Sequence, residues 1–310
     1  MYSIIKPMEP VSHNDIPDSS EYWYQVKWDG VRMLSYVEGN QVRLINKRLN
    51  PRTSQYPELQ QLPQFLSGHN AILDGEIIVL KDGQPSFPSV IRRDRCSASK
   101  TISYWSQRLP ISYMLFDIVF LDKLDLTRLP VSERHKLLAQ TLDFNSPLLH
   151  LVENFTEGRS LFEAVKANDM EGIVAKRKTS LYLPGKHHRE WLKIKYRRSL
   201  NCVIGGYTMR GDQVNSLLLG LFQDEQLVYV GRAGSGLSES DRQILSTELP
   251  SLAVPESLFS CYSIPKIPEA RFTRPLLTVR VEFAEWTEHM QLRSPVIKEF
   301  IAIEPEGCTS

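Results

Sequence analysis

The sequence is poor in cysteine, has no long apolar run and carries no surplus of either charge. Its four cysteines, Cys96, Cys202, Cys261 and Cys308, lie far apart with no Cys-x-x-Cys pair. Neither a zinc module nor a disulfide framework is indicated, and the expected setting is the reducing cytoplasm. No stretch approaches the ~18 apolar residues of a membrane span; the richest, Tyr113–Leu121, is interrupted by Asp117. The start, Met-Tyr-Ser-Ile-Ile-Lys-Pro, lacks the apolar core of a secretory signal. Internal repeats and low-complexity segments are absent as well. With 37 Lys and Arg against 36 Asp and Glu the formal charge is +1, so no gross basic excess points to nucleic acid.

What is present is a globular composition, 42% hydrophobic, 24% charged and 9% aromatic over 310 residues, enough for two domains of about 100–200 residues each. The balanced charge conceals a split. Up to Ser199 there are 28 basic and 22 acidic residues, net +6; from Leu200 onward there are 9 and 14, net −5. Such asymmetry directs attention to an acidic partner of the first part.

The texture divides at the same place. Gln41–Lys47, Ala71–Leu80, Tyr113–Leu121, Gly172–Ala175 and Trp191–Tyr196 read as strands, short, β-branched and bounded by turn residues. Helices are predicted at Ser132–Leu142 and at Ser160–Asn168, the second from a capping box of Ser160 and Glu163. After Ser199, strand-like runs at Cys202–Tyr207, Ser216–Phe222 and Leu227–Gly231 come at short spacing. A helix at Ser238–Leu249, a Pro-rich connection from Pro250 to Pro268 and a last strand at Leu277–Glu285 complete the chain. About five short strands and one helix fit a small β-barrel such as an OB-fold. The expectation is an α+β chain of two domains, 1–199 and 200–310.

The most informative segment is Lys27-Trp28-Asp29-Gly30-Val31-Arg32. Alone it reads as a β-turn with its flanking charges in solvent. Five further segments match in order: Lys47-Arg48 with Tyr56-Pro57-Glu58-Leu59, Asp74-Gly75-Glu76-Ile77, Phe116-Asp117-Ile118, Glu171-Gly172-Ile173-Val174-Ala175-Lys176, and Trp191-Leu192-Lys193-Ile194-Lys195. Together they resemble the motifs of the covalent nucleotidyltransferases, the superfamily of ATP-dependent DNA ligases, RNA ligases and capping enzymes.

The resemblance implies a nucleotidyltransferase (adenylation) domain of antiparallel sheets with helices, followed by an OB-fold. It makes Lys27 the AMP-accepting nucleophile. An amine can attack phosphorus once its pKa is lowered by nearby cations, and Lys193, Lys195 and a bound metal are the expected source. Two residues apart on a strand, Lys193 and Lys195 point to one face and converge on one phosphate. Asp74 and Glu76 share a face likewise; Glu76 is carried over as a ribose or metal contact, while Asp74 is read only as shaping a turn. Glu171 is expected to help hold Mg²⁺ (or Mn²⁺), Gly172 to let the nucleotide approach the backbone, and Phe116 to stack on the adenine. Gln25 stands where many DNA ligases carry Glu, and its amide still offers a carbonyl acceptor.

Tyr24-Gln25-Val26-Lys27-Trp28-Asp29-Gly30, Leu129-Pro130-x-x-Glu133-Arg134 and, in the second part, Val203-Ile204-Gly205-Gly206-Tyr207, Val230–Gly236 and Val281–Trp286 are most similar to the ligase domain of bacterial ligase D, the end-joining DNA ligases. Leu292-Arg293-x-Pro295-x-x-Lys298 resembles the last motif, whose cations Arg293 and Lys298 are expected to orient pyrophosphate. These strings weigh against an RNA ligase or capping enzyme, and the complete set of reactive residues weighs against a non-catalytic binding module.

The resemblance thus implies a free-standing, monomeric, ATP-dependent DNA ligase in the bacterial nucleoid. It would act in repair or non-homologous end joining on nicked or broken duplex DNA, with a Ku-like protein as a further partner. Arg32 and Arg48 are expected to meet both nucleotide and DNA phosphates. Ile173–Arg198 holds nine Lys and Arg and one acid, Glu190. Lys176, Lys178, Lys186, Arg197 and Arg198 from it, with Arg92 and Arg93 from a second cluster placed on a loop, form the expected DNA surface.

Overall fold

The strands Val31–Glu38, Asn70–Lys81 and Ile111–Leu121 bury apolar side chains on both faces, as central strands of an antiparallel sheet must. In the computed structural model, which describes residues 2–81, 83–223, 225–260, 267–284, 286–287 and 289–309, they stand side by side. Gln41–Asn46 lies outside Val31–Glu38, and Leu149–Leu151 pairs in parallel with Ile111–Leu121. A second, four-stranded sheet runs in the order Glu9–Ser12, His187–Lys195, Gly172–Arg177, Tyr22–Val26. The chain divides into two compact units, Met1–Tyr196 and Arg197–Ser310. Arg197 and Arg198 therefore belong to the second unit.

Four apolar clusters lie in the first unit, three of them large. Met33, Leu73, Ile77, Tyr113 and Leu115 pack beneath the large sheet against Leu138 of the helix Val131–Thr141. Leu34, Tyr36 and Ile72 on its other face meet Tyr182 and Trp191, so the two sheets are packed face to face. Ile173, Ala175, Leu192 and Ile194 cover the helix Gly158–Ala167 through Leu161 and Val165. Each such side chain stabilises the unit by about 1.5–3 kcal/mol. That helix corrects the expected capping box. The helix already starts at Gly158, which lies close against Tyr24, so Ser160 falls inside the first turn and cannot act as the cap; Glu163 pairs instead with Lys166 at 3.7 Å.

The second unit winds Gln226–Ala233, Gln213–Gln223, Arg198–Arg210, Arg271–Phe283 and Val296–Ile301 into one antiparallel path. A bridge between Ser235 and Val296 links its ends in the manner of an OB-fold barrel. Here a capping box does form. Ser238 Oγ accepts from the Asp241 N–H at 3.1 Å and Asp241 accepts from the Ser238 N–H at 2.8 Å, opening the helix Glu239–Glu248. Of the residues singled out in the sequence, Cys261, Glu285 and part of the Pro-rich connection lie outside the described residues.

Candidate active site

Three strand ends meet at one edge of the four-stranded sheet. Lys27 follows Tyr22–Val26, Glu171 precedes Gly172–Arg177 and Lys195 closes His187–Lys195. The backbone ties them before any side chain does: Lys27 N–H donates to the Gly172 carbonyl and Tyr196 N–H to the Glu171 carbonyl, both at 2.9 Å. Gly172 permits this. Its φ is +147°, and a Cβ there would lie 2.2 Å from the Ile194 carbonyl oxygen. The space expected to admit the nucleotide is thus taken by the neighbouring strand, which corrects the reading of this glycine.

Glu171 bridges two ammonium groups. Its Oε2 accepts from Lys27 Nζ at 2.6 Å and its Oε1 from Lys195 Nζ, also at 2.6 Å. Burial alone would raise its pKa, but the two lysines outweigh that and hold it low. Lys27 is shifted the opposite way. Burial disfavours its charge, yet the carboxylates of Glu171, Glu76 and Asp29 prevail and hold the ammonium above the usual lysine range. Lys195 does not depress it, because the nearest partner of Lys27 is a carboxylate that also neutralises Lys195. Lys193, on the same strand, does lie below the lysine range, through burial and the charges of Lys195 and Lys27.

Glu76 sits across the sheet from Arg32, on Asn70–Lys81. Burial pushes its carboxyl up to about 8, against the pull of Lys27 and Arg32. Gly30 makes the packing possible: a Cβ there would be 2.3 Å from the Ile77 carbonyl oxygen and 2.9 Å from Glu76 Cγ. Asp74, read as a turn residue, is a fully buried acceptor in mid-strand. Arg32 grips it through Nε at 3.0 Å and Nη2 at 2.7 Å, and the Tyr182 hydroxyl donates to it at 2.6 Å. Arg32 is thus held on Asp74 by two of its three nitrogens, with its guanidinium 5.2 Å from the Phe116 ring centre.

A second locked pair lies nearby. Arg134 donates to both oxygens of Asp117, at 2.7 and 2.8 Å, with both side chains fully buried. Lys176, expected at the DNA surface, is buried too. Its Nζ lies 4.4 Å from the Phe116 ring centre and 4.2 Å from that of Trp191, with no hydrogen-bond partner. Burial lowers its pKa to about 7. Phe116 itself is half-buried against Ile78, Met114 and Val152, beside Trp28. Gln25 is buried and donates to Asn154 Oδ1 at 2.8 Å, leaving its own carbonyl unspent.

The remaining cations divide. Arg93 is buried on the helix Phe87–Asp94, not on a loop, and donates to the Leu109 and Gln55 carbonyls and to Glu58. That removes it from the expected surface, since no donor faces solvent. Arg92 is exposed over Trp105 and Arg48 is exposed after Gln41–Asn46. Lys186 and Arg197 are exposed, Arg198 is half-buried, and Lys178 donates to the Ser20 carbonyl at 2.7 Å. Arg293 and Lys298 lie in the second unit, the latter paired with Glu282 at 3.2 Å. Asp74, Asp117 and Tyr182 are site-builders that sequence reasoning missed; for the two aspartates, a charge amid apolar residues inside a long strand was the available signal, and for Tyr182, outside any strand, there was none.

Two family models match the chain: the ATP dependent DNA ligase domain over residues 7–195 and the ATP dependent DNA ligase C terminal region over residues 210–300. The multifunctional non-homologous end joining DNA repair protein LigD of Mycobacterium tuberculosis is 32% identical over 282 residues, 89% of this chain and 35% of that protein. DNA ligase C of the same organism is 30% identical over 264 residues, 80% of this chain and 72% of that one. The solved structure of mycobacterial DNA ligase D complexed with ATP and MES superposes with a TM-score of 0.56 at 28% identity, over 98% of this chain and 97% of that one. The chain spans about a third of the length of the LigD relatives it matches.

Proposed function

The chain belongs to the ATP-dependent DNA ligase family, and on that premise we propose that it seals 5′-phosphate/3′-hydroxyl nicks in duplex DNA through an AMP adduct on Lys27. The observation that supports the reading is the Lys27–Glu171–Lys195 bridge, in which one carboxylate holds the proposed nucleophile and a second ammonium by single hydrogen bonds, each able to exchange it for a phosphate.

In the first step Lys27 parts from Glu171, gives up its ammonium proton to solvent water and attacks the α-phosphorus of ATP. A nitrogen–phosphorus bond forms, the bond to the β-phosphate breaks, and pyrophosphate leaves. Lys193 and Lys195 neutralise the charge developing on the phosphate oxygens. Phe116 stacks on the adenine, and the carbonyl of Gln25 accepts from its amino group, the amide being oriented by Asn154. A 5′-phosphate oxygen of the nick then displaces Lys27, and the 3′-hydroxyl displaces AMP. Arg32, fixed on Asp74, positions the pocket; Arg48 is the freer phosphate contact.

Glu76 and Glu171 fit a hard divalent cation such as Mg²⁺. A carboxyl pushed up to about 8 by burial is short of counter-charge, and an ion taking its other ligands from phosphate and water needs only one or two carboxylates. When bound there it would supply the positive field that lowers the pKa of Lys27.

Arg48, Arg92, Lys178, Lys186, Arg197 and Arg198 are proposed to contact DNA phosphates without regard to sequence, with Arg293 and Lys298 orienting pyrophosphate. We place the protein in the bacterial cytoplasm, as a monomer working with a Ku-like end-binding protein; among the described residues no helix is long and apolar enough to cross a membrane. Incubation with labelled ATP and Mg²⁺, followed by peptide mapping, should find the label on Lys27. Label on another residue overturns the assignment.

A further inference from the structure

Around Phe116 two buried arginines are paired with carboxylates and one buried lysine is not. Arg32 is spent on Asp74 and Arg134 on Asp117, two cations against two carboxylates. Lys176 is the unpaired lysine. It is buried, its Nζ has no hydrogen-bond acceptor, and both nearest groups are aromatic, Phe116 at 4.4 Å and Trp191 at 4.2 Å. Trp191 is itself immobilised, fully buried with its indole N–H donating to Ser180 Oγ at 2.9 Å. A thioether or an isobutyl group would fill the same space without the cost of desolvating an amine. In its charged form the amine therefore acts on the two rings rather than merely filling volume.

We propose that Lys176 is a positioning residue for the nucleotide base: clamped against the fixed Trp191, it holds the Phe116 ring in the orientation on which the base stacks. The inference rests on the reading of Phe116 as the stacking ring. It moves Lys176 from DNA contact, which its burial forbids, to nucleotide recognition. A desolvated cation–π contact shifts an equilibrium by roughly tenfold or more, so the effect should fall on the KM for ATP and not on the chemical step.

The test measures Lys27 adenylylation against ATP concentration for the unaltered chain, Lys176→Met, Lys176→Arg, Phe116→Leu and the Lys176→Met/Phe116→Leu double variant. Lys176→Met should raise KM roughly tenfold while leaving kcat within about twofold, and Lys176→Arg should restore most of the loss. On the Phe116→Leu background Lys176→Met should add nothing, because Lys176 acts through that ring. Thermal unfolding should show Lys176→Met no less stable than the unaltered chain; if that variant fails to fold, Lys176→Gln takes its place in the same cycle. An unchanged KM in Lys176→Met beside a raised one in Phe116→Leu overturns the role of Lys176 alone. An unchanged KM in Phe116→Leu overturns the stacking reading and this inference with it. Additive losses in the double variant overturn action through Phe116.

Discussion

Two charged clusters lie within the first unit and use their charges in opposite ways. In one, Lys27 and Lys195 share Glu171 through single hydrogen bonds, with side chains 22%, 41% and 17% exposed. In the other, arginines grip Asp74 and Asp117 with two hydrogen bonds each, and both aspartates are fully shielded. Lysine is a compact charge on a flexible stem, able to exchange one anion for another; arginine matches a carboxylate with a rigid fork. The first cluster can release its partners to an incoming triphosphate, and the second cannot. Reactivity here depends on ion pairs that come apart beside ion pairs that do not.

The comparison can be broken by exchanging the roles. The largest effect is expected from Asp117→Ala, which strands the Arg134 guanidinium in the core and should cost about 3–5 kcal/mol of stability, read as a fall in the denaturant midpoint. A loss below about 1 kcal/mol, the level of an exposed pair, would mean that the pair is not locked. Lys195→Ala should do the reverse. Adenylylation at Lys27 should slow by roughly 10²–10³-fold, as for loss of one charge-stabilising donor, while stability changes by less than about 1 kcal/mol because the pair is solvent-accessible.

Glu76 sharpens the contrast through pH. Its pKa is raised in the folded chain to about 8 from an ordinary value of 4.5. Between those values the folded state binds the extra proton, so its contribution to stability is present in acid and lost as pH rises toward 8. Glu76→Gln should remove that decline, leaving the melting temperature flatter from about pH 5 to about pH 8. Equal pH slopes in the two proteins would show that Glu76 titrates normally. The smallest effects belong to the exposed cations. Arg48→Ala and Lys186→Ala should each reduce the slope of log affinity for nicked duplex against log salt by about one. An unaltered slope would remove that residue from the DNA surface.

Much of the reactive cluster was legible in the sequence. Lys27, Glu171 and Lys195 stand in motifs whose order carries the family resemblance, and the two-residue spacing of Lys193 and Lys195 gives a shared strand face. What escaped was burial. Lys176 and Arg93 read as cations free to meet phosphate, since charge is visible in a sequence and enclosure is not. Lys176 lies on Gly172–Arg177, which has a strand on each side and Trp191 opposite, and enclosure there comes from residues distant in sequence. Arg93 was more accessible to reasoning. Pro88 near the start of Phe87–Asp94 is a helix-opening signal, and Val90, Arg93 and Asp94 are buried together at helical spacing. The helix Gly158–Ala167 departs from the sequence in another way, opening two residues before Ser160 with no capping pair.

The bond from the Lys27 amine to Glu171 spans 144 residues of chain, and that separation has a consequence for how the protein comes into being. A chain emerging from the ribosome exposes Lys27 early, as an ordinary lysine with none of its partners yet made. The strands that carry Glu171 and Lys195 are the last of the first unit to be synthesised, and long-range pairings of this kind form late in folding. On the proposed reading, reactivity toward ATP arises only as the unit closes, which would make the covalent adduct a chemical signature of a completed fold.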